Sequence, residues 1–314
     1  MSAKRLYTLL GVLAGLLLLY AGLRFATARG GAPVGGDPLG LGGVVPERVD
    51  SVVFSGPRDT VRLVRRDGGY MAGRWRADSA RVEELWRAVD SVVVAELVSR
   101  SPANHPRLGV ADSAATRVAF YAGADRVAEL LVGQSGPAWR TAYVRRPGAD
   151  EVYLVRGELA TLAHRRRDDW RDREIARFEP FRADRVEIVL DGESTTLERQ
   201  DTLWTVAAGG AEPVPADTAA VRRAVETLSQ MTSTSFAADS VAETLDFGAP
   251  EGRVAVRDEA ENVLAELLLR RREDGSWYVR RADRPDVWVL SRFSLEDVLR
   301  KPEDFRRRGP TASG

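Results

Sequence analysis

The chain has 314 residues and is 44% hydrophobic, enough to build one or two ordinary cores. Its 46 basic and 46 acidic side chains leave no net charge, which argues against nucleic acid or a strongly acidic substrate as a partner. Without cysteine it has no disulfides, thiolate catalysis, zinc-cysteine sites or lipoprotein acylation, although this fits either side of a membrane.

An apolar segment lies near the N-terminus. Lys4 and Arg5 precede Leu6 to Leu23, which carries no charge, and at ~1.5 Å per residue its length suits an apolar layer of roughly 30 Å. Preceding basic residues indicate a cytoplasmic N-terminus and an exported remainder. Residues 1–28 are therefore predicted to be a single-pass anchor in the cytoplasmic (inner) membrane. Cleavage after Ala28 is the alternative, but the apolar segment exceeds the roughly 7–15 residues of a signal peptide.

Glycine and proline dominate residues 29–44. Such a composition lacks the side chains needed to bury a core, so this segment is predicted to be a flexible tether. Gly40 to Gly43 is not a phosphate-binding loop, because no Gly-Lys-Ser or Gly-Lys-Thr occurs in the chain.

Beyond the tether the chain repeats itself, and such repeats decide the architecture. Asp50 to Phe54 resembles Asp184 to Ile188, and each run leads into a second strand-like run, Thr60 to Val64 and Ser194 to Glu198. The two copies are predicted to be residues 45–173 and 174–308, followed by a tail at 309–314.

Each copy next predicts a helix. Asp78 and Asp217 stand where an N-cap side chain accepts hydrogen bonds from exposed amides. Trp75 and Trp204 precede these helices and are predicted to be equivalent core residues. The apolar residues at helical spacing are Val82, Leu85, Trp86, Val89 and Val92 in the first copy and Val221, Ala224, Val225, Leu228 and Met231 in the second.

The later elements also recur in the same order. Leu108-Gly109 and Phe247-Gly248 mark turns before predicted hairpins. These hairpins join Arg117–Tyr121 to Val127–Val132 and Arg253–Val256 to Val263–Leu269. Two further strands follow, Tyr143–Arg146 with Asp150–Val155 and Tyr278–Arg281 with Pro285–Leu290, before charged ends whose aromatics, Trp170 and Phe305, are predicted to dock on their own copy's core.

Strands outnumber helices and connections are short, which favours antiparallel sheets with helices on one face. The predicted fold class is α+β: two tandem copies of a mainly antiparallel β module with packed helices, preceded by one transmembrane helix.

This order of elements resembles the bacterial DUF4340 family. The resemblance rests on the basic start, the apolar helix, a strand pair with a Trp, an Ala-Asp helix start and a Leu-Gly turn. It covers nearly the whole chain after the tether. The family has no known function, so it implies no catalytic residues. It does imply an envelope component associated with ABC-type transport systems.

Candidate chemical groups are few. His105, in a proline-flanked segment, is interpreted as a surface loop residue. His164 and Asp168 have the spacing of two ligands on one helix face, but the arginines between them disfavour a cation. Asp168, Asp169 and Asp172 are interpreted as a charged surface rather than an acid-base pair.

Other motifs carry no chemistry either. Gly133 to Gly136 lacks the spacing of a hydrolase serine and is interpreted as a hairpin turn. The tryptophans are interpreted as core residues rather than stacking platforms for sugars or bases, and Trp139 has the weakest support because its counterpart segment is polar. No catalytic, cofactor-binding or metal-binding residue is predicted.

The sequence therefore predicts a non-catalytic, membrane-anchored envelope protein that binds another envelope protein, with an ABC-type transporter component as one such partner. Its exported modules would be periplasmic or extracellular. A peptidoglycan or small-ligand binding module is the alternative, followed by an envelope carbohydrate hydrolase that uses paired carboxylates.

Overall fold

The computed structural model describes residues 36–57 and 59–307. The predicted anchor at 1–28 and the tail at 309–314 lie outside these residues. No helix within the described part of the chain has the length and apolar character required to cross a membrane. The chain divides into two compact units between Arg171 and Asp172. Residues 36–171 are called module 1 and residues 172–307 module 2.

Module 1 contains a nine-stranded sheet in the order β4-β3-β2-β1-β6-β7-β8-β9-β5, in which every neighbouring pair is antiparallel. Its strands are β1 (Ser51–Ser55), β2 (Thr60–Arg66), β3 (Gly69–Ala72), β4 (Trp75–Arg76), β5 (Val93–Ser99), β6 (Thr116–Ala122), β7 (Asp125–Ser135), β8 (Thr141–Arg145) and β9 (Val152–Arg156).

Module 2 contains a second nine-stranded antiparallel sheet, in the order β14-β13-β12-β11-β17-β18-β19-β20-β16, and a two-stranded sheet of β10 and β15. Its strands are β10 (Glu174–Arg177), β11 (Arg185–Leu190), β12 (Glu193–Gln200), β13 (Leu203–Ala208), β14 (Val214–Pro215), β15 (Gln230–Thr232), β16 (Ser235–Phe236), β17 (Gly252–Arg257), β18 (Val263–Arg271), β19 (Trp277–Arg281) and β20 (Val287–Leu290).

One long helix in each module packs on the sheet. The α-helices are α1 (Ser79–Asp90), α2 (His105–Leu108), α3 (Leu159–Ala163) and α4 (Arg167–Trp170) in module 1, and α5 (Thr218–Ser229) and α6 (Asp239–Ala242) in module 2. Short 3-10 helices cover Pro102–Asn104, Pro180–Arg182, Arg292–Leu295 and Pro302–Phe305.

The pairing registers confirm the internal repeat. Phe54 lies opposite Val118 in module 1, and Ile188 lies opposite Val254 in module 2. The amide of Asp78 donates to the carbonyl of Trp170, and the amide of Asp217 donates to the carbonyl of Phe305. Both aromatic side chains are fully buried. The predicted docking of Trp170 and Phe305 on their own modules is therefore confirmed.

Both long helices begin as predicted. One carboxylate oxygen of Asp78 accepts from the amides of Ala80 and Arg81, and Asp217 binds the amides of Ala219 and Ala220 with the same distances, 2.9 and 3.3 Å. The apolar stripe of each helix is buried. The last member of each predicted stripe, Val92 or Met231, lies two positions beyond the last helical residue, Asp90 or Ser229.

A small apolar cluster also covers part of the second face of each sheet, which differs from the prediction of helices on one face. The main core of module 1 joins α1 and α3 to residues such as Val144. The side chain of Tyr143 points to the opposite face, because neighbouring residues alternate along a strand, and there it packs with Leu108 of α2. In module 2, Tyr278 packs with Phe247 in the same way.

The predicted equivalence of Trp75 and Trp204 is wrong. The amide of Ala77 donates to the carbonyl of Tyr70, and the amide of Ala216 donates to the carbonyl of Trp204, so Trp204 is the counterpart of Tyr70. Trp75 occupies the position of Val214, because each is the first residue of the short strand before the long helix, β4 or β14. The connection between β13 and β14 is longer than that between β3 and β4, and matching the two tryptophans ignored this difference.

The end of the predicted tether is part of module 1. Leu39, Leu41 and Val44 are 2%, 9% and 9% exposed and belong to its core. Three apolar side chains among glycines suffice to attach this segment, because each buried one removes apolar area from water. Residues 36–46 are called the lead-in segment.

Gly133 to Gly136 is not a hairpin turn as predicted. Gly133 to Ser135 belong to β7, whose pairing with β8 is irregular between Val132 and Ser135. A Cβ atom at Gly133 would lie 2.5 Å from the carbonyl oxygen of Leu108. Glycine is required there because the turn at Leu108-Gly109, where Gly109 has φ of 71°, crosses β7 at close range.

Candidate functional site

The best catalytic candidate of the chain, His164, lies beside a cavity of about 730 Å3 that Thr116 and Asp169 also line. Its Nδ1 is 3.0 Å from the Thr116 hydroxyl oxygen and its Nε2 is 3.2 Å from the carbonyl oxygen of Gly133. Since a carbonyl only accepts, Nε2 carries a proton and donates it to Gly133, while Nδ1 and the Thr116 hydroxyl share the second hydrogen bond. Both ring nitrogens therefore make hydrogen bonds that hold β6 and β7 to the end of α3.

His164 and Asp168, whose spacing suits one helix face, do not share a helix. His164 follows the last residue of α3, whereas Asp168 lies in α4 after a break at Arg165 and Arg166. One helix does not continue from His164 to Asp168, because the backbone of Arg166 is extended. No group of three metal-ligating side chains occurs within the described residues.

The neighbouring carboxylates make local contacts. Asp168 forms ion pairs with Arg167 and Arg171, at 3.5 and 3.3 Å. Asp169 accepts from the amide of Arg166 at 3.0 Å, at the start of α4.

Asp172 belongs to module 2. There it accepts from the amide of Glu174 at 2.9 Å and pairs with Arg284 at 3.0 Å. These partners are backbone groups and arginines, as in a charged structural surface.

His105 is not the surface loop residue that was predicted. It begins α2, is 8% exposed, and its Nε2 is 3.0 Å from the carbonyl oxygen of Asp150. Pro106, which suggested a loop, lies in the first turn of this helix. The missing N–H of proline costs nothing at that position, because it would have no partner within the helix.

Most tryptophans are core residues, as predicted, and Trp139 is the exception. Trp170 and Trp288 are fully buried, whereas Trp139 is 87% exposed in the connection between β7 and β8. Trp75 is buried in another way, since the guanidinium groups of Arg167 and Arg171 lie 4.4 and 4.3 Å from its ring centroid.

A larger cavity lies within module 1, between the lead-in segment and the region where α1 ends and β5 begins. Its volume is about 830 Å3, within the ~300–1,000 Å3 range of binding pockets. We call it the edge groove. Its apolar walls are formed by Leu39, Leu41, Val44, Trp86, Val89, Val92 and Val93. Val93 is 56% exposed at the start of an edge strand.

The equivalent position in module 2 is filled by a strand of the chain itself. There β10 pairs antiparallel with β15, and Ala176 lies opposite Met231. Ile175 and Ala176 are fully buried and Met231 is 4% exposed. The strand that leads into module 2 therefore covers the segment that follows its long helix.

The lead-in segment of module 1 turns instead of forming such a strand. The carboxylate of Asp37 accepts from the amides of Leu41 and Gly42, at 3.0 and 2.6 Å, and the amide of Val44 donates to the carbonyl of Leu41 at 2.9 Å. Burial alone would raise the pKa of Asp37, but these amides, the amide of Gly40 and the charge of Arg146 hold it below its ordinary value. Asp37 is thus an ionised clamp on a turn.

A single family accounts for most of the chain. The model of a domain of unknown function, DUF4340, matches residues 71–214 and 204–312. No curated protein and no solved structure matches the chain at a significant level. Two matched segments agree with the duplicated sheet, and together they span residues 71–312. The chain belongs to the DUF4340 family.

Proposed function

We propose that this protein is a non-catalytic, membrane-anchored envelope protein whose two exported modules bind another envelope protein. Residues 6–23 would cross the cytoplasmic membrane with the N-terminus in the cytoplasm. The partner would be a membrane protein, with a component of an ABC-type transport system as the favoured class. The role is that of an accessory subunit, which requires no cofactor.

One observation carries this proposal, namely the difference between the segments that follow the two long helices. Module 2 covers its post-helix segment with β10, whereas module 1 leaves an apolar groove beside the start of β5. Uncovered edges are templates for association, and proteins normally protect them. The segment after the helix is paired with a strand in module 2 and lies beside a groove in module 1, and this difference supports a binding role for module 1.

The anchor adds to this argument. A protein confined to the membrane surface meets other membrane proteins at a raised effective concentration, so a modest contact suffices for association. Duplicated modules also enlarge the surface that one partner can contact.

The proposal is tested by topology and association measured in the same strain. A reporter fused after Gly314 is expected to be active only when exported, and the chain is expected to fractionate with membranes. Crosslinking in intact cells is expected to join the chain to another envelope protein. A reporter active only in the cytoplasm would overturn the orientation, and crosslinking that joins the chain to no other protein would overturn the binding role.

The cavity beside His164 favours binding of a small ligand or peptidoglycan fragment as a second candidate. Its lining combines His164, Arg165 and Asp169 with Phe54. Replacing His164 and Asp169, which line the cavity, together by alanine tests this candidate and the hydrolase. Loss of complementation with a folded protein and intact crosslinks would favour chemistry at this cavity, whereas full activity would exclude it.

A further inference from the structure

We infer that the edge groove binds an extended segment of the partner protein, which pairs antiparallel with residues 91–93 as β10 pairs with β15. This inference rests on the proposed protein-binding role and specifies the contact. Its occupant is a short strand with apolar side chains at its centre.

The repeat places the two positions in register. Counting from the equivalent N-caps Asp78 and Asp217, Val92 corresponds to Met231. The same offset relates Leu97 to Phe236, and these lie opposite the equivalent residues Tyr153 and Trp288. Residues 91–93 are therefore the module 1 counterpart of β15. The equivalent pairing of the strands that follow, in both modules, supports this alignment.

Module 2 shows what such an occupant contributes. The amide of Phe178 donates to the carbonyl of Ser229 at 3.1 Å, and the amide of Ser233 donates to the carbonyl of Arg173 at 2.9 Å. Between these bonds Ile175 and Ala176 are fully buried. Main-chain bonds of this kind supply affinity in strand addition, and buried side chains supply specificity.

Module 1 presents the same surface without a strand on it. Val92 is half-buried where Met231 is 4% exposed, whereas Val93 and its counterpart Thr232 are both exposed. Within the described residues β5 pairs only with β9, and the outer edge of such a strand can accept another strand.

The lead-in segment is a poor occupant of its own groove. Asp50 and Asp184 are equivalent, since each amide donates to the end of the neighbouring strand, at Tyr121 and Arg257. Counting back from them, Gly42 stands where module 2 has Ala176. Glycine has no side chain to bury against Val92, and its amide is already bound by Asp37. An occupant from another protein supplies what this segment lacks.

The probe is a labelled peptide with the sequence of residues 172–178, Asp-Arg-Glu-Ile-Ala-Arg-Phe, added to the full-length chain in detergent. Saturable binding with one peptide per chain is expected by fluorescence anisotropy. A photoreactive version is expected to crosslink to residues 88–100. A peptide with aspartate in place of its Ile and Ala should not bind, because both side chains would have to be desolvated.

Two matched variants locate the site. Val93→Asp and Val263→Asp each place a charge at an exposed strand valine, 56% and 49% exposed, opposite an arginine, Arg156 or Arg257. Circular dichroism should show both folded. Val93→Asp is expected to weaken peptide binding by up to about fivefold, because the glutamate of the peptide would lie opposite position 93 as Glu174 lies opposite Thr232. Val263→Asp is expected to leave peptide binding unchanged. Equal affinities, no saturable binding, or crosslinks outside residues 88–100 would overturn the inference.

The source of the natural segment is tested in cells. Because the chain has no cysteine, Val93→Cys and Val263→Cys each carry a single photocrosslinker. The inference is supported if position 93, but not position 263, crosslinks to an extended segment of another protein and if the peptide abolishes this crosslink by competition. Crosslinks to residues 1–35 or to a second copy would overturn it. Partner crosslinks from position 263 alone would retain the proposed function and reject the groove, whereas no partner from either position would count against both.

Discussion

Trp170 offers a quantitative test of how module 1 is held together. Its side chain is fully buried, its ring stacks on Phe54 with centroids 5.2 Å apart, and its carbonyl accepts from the amide of Asp78. Truncation to alanine removes the ring but keeps that backbone bond. The expected loss is about 3–5 kcal/mol, of which stacking contributes about 0.5–1.5 kcal/mol.

Trp170→Phe separates the ring from the indole nitrogen. Within the described residues the buried Nε1 of Trp170 has no hydrogen-bond partner, so phenylalanine removes an unsatisfied donor while it leaves a small void. Phe305 occupies this position in module 2 and is fully buried there. Trp170→Phe is therefore expected to cost less than about 1.5 kcal/mol.

Calorimetry of the full-length chain measures both variants. Trp170→Ala should lower the unfolding temperature of module 1 by roughly 10–20 °C and leave the transition of module 2 in place. Trp139→Ala, at 87% exposure, is the control and should change nothing measurable. If Trp170→Ala behaves like this control, or if Trp170→Phe costs as much as the alanine variant, the assigned packing is refuted.

Three further predictions concern caps, charge and close approach. Asp78→Ala and Asp217→Ala should each cost about 0.5–2 kcal/mol in urea unfolding, and by similar amounts because their bonds have equal lengths. Burial would raise the pKa of Glu84, but Arg165 holds it below its ordinary 4.5. The ion pair of Glu84 therefore stabilises the fold at pH values above 4.5, and this stabilisation is lost as the pH falls. Glu84→Gln should reduce the acid sensitivity of the free energy of unfolding. A steeper loss of stability with falling pH in this variant would contradict the prediction. Gly133→Ala should cost about 1–3 kcal/mol through overpacking, with an unchanged melting temperature as the contrary result.

Much of the fold follows from local chemistry that the sequence displays. An aspartate before an apolar helical stripe predicts a cap, and Asp78 and Asp217 both form one. Alternating residues predict the β6–β7 and β17–β18 hairpins, which are present. These signals are short-range, so they survive divergence between the copies.

Features that depend on tertiary register escape the same reasoning. Trp75 and Trp204 share a residue type and a place before a helix, but strand pairing assigns Trp204 to the position of Tyr70. Residue type outweighed loop length in that alignment. The lead-in segment escaped for another reason, since Leu39 and Leu41 are too few to show a period yet are buried by the fold.

The groove could not be predicted, because it is a difference between two copies rather than a motif. Leu41 and Ile175 stand at equivalent positions, and both are buried, so the composition of each lead-in suggests little contrast. The contrast arises from backbone pairing. Asp37 binds the amides of Leu41 and Gly42 locally, which removes Gly42 as a donor to a neighbouring strand.

The two modules share one strand order and differ in what covers the segment after the long helix. The core of each module needs its sheet and long helix, and both are retained. The strand that leads into module 2 covers the segment after its long helix. A module without such a strand keeps the packing of its long helix on its sheet. Val92 is half-buried where Met231 is 4% exposed, so module 1 leaves apolar area in water that a strand placed as β10 is placed in module 2 would cover.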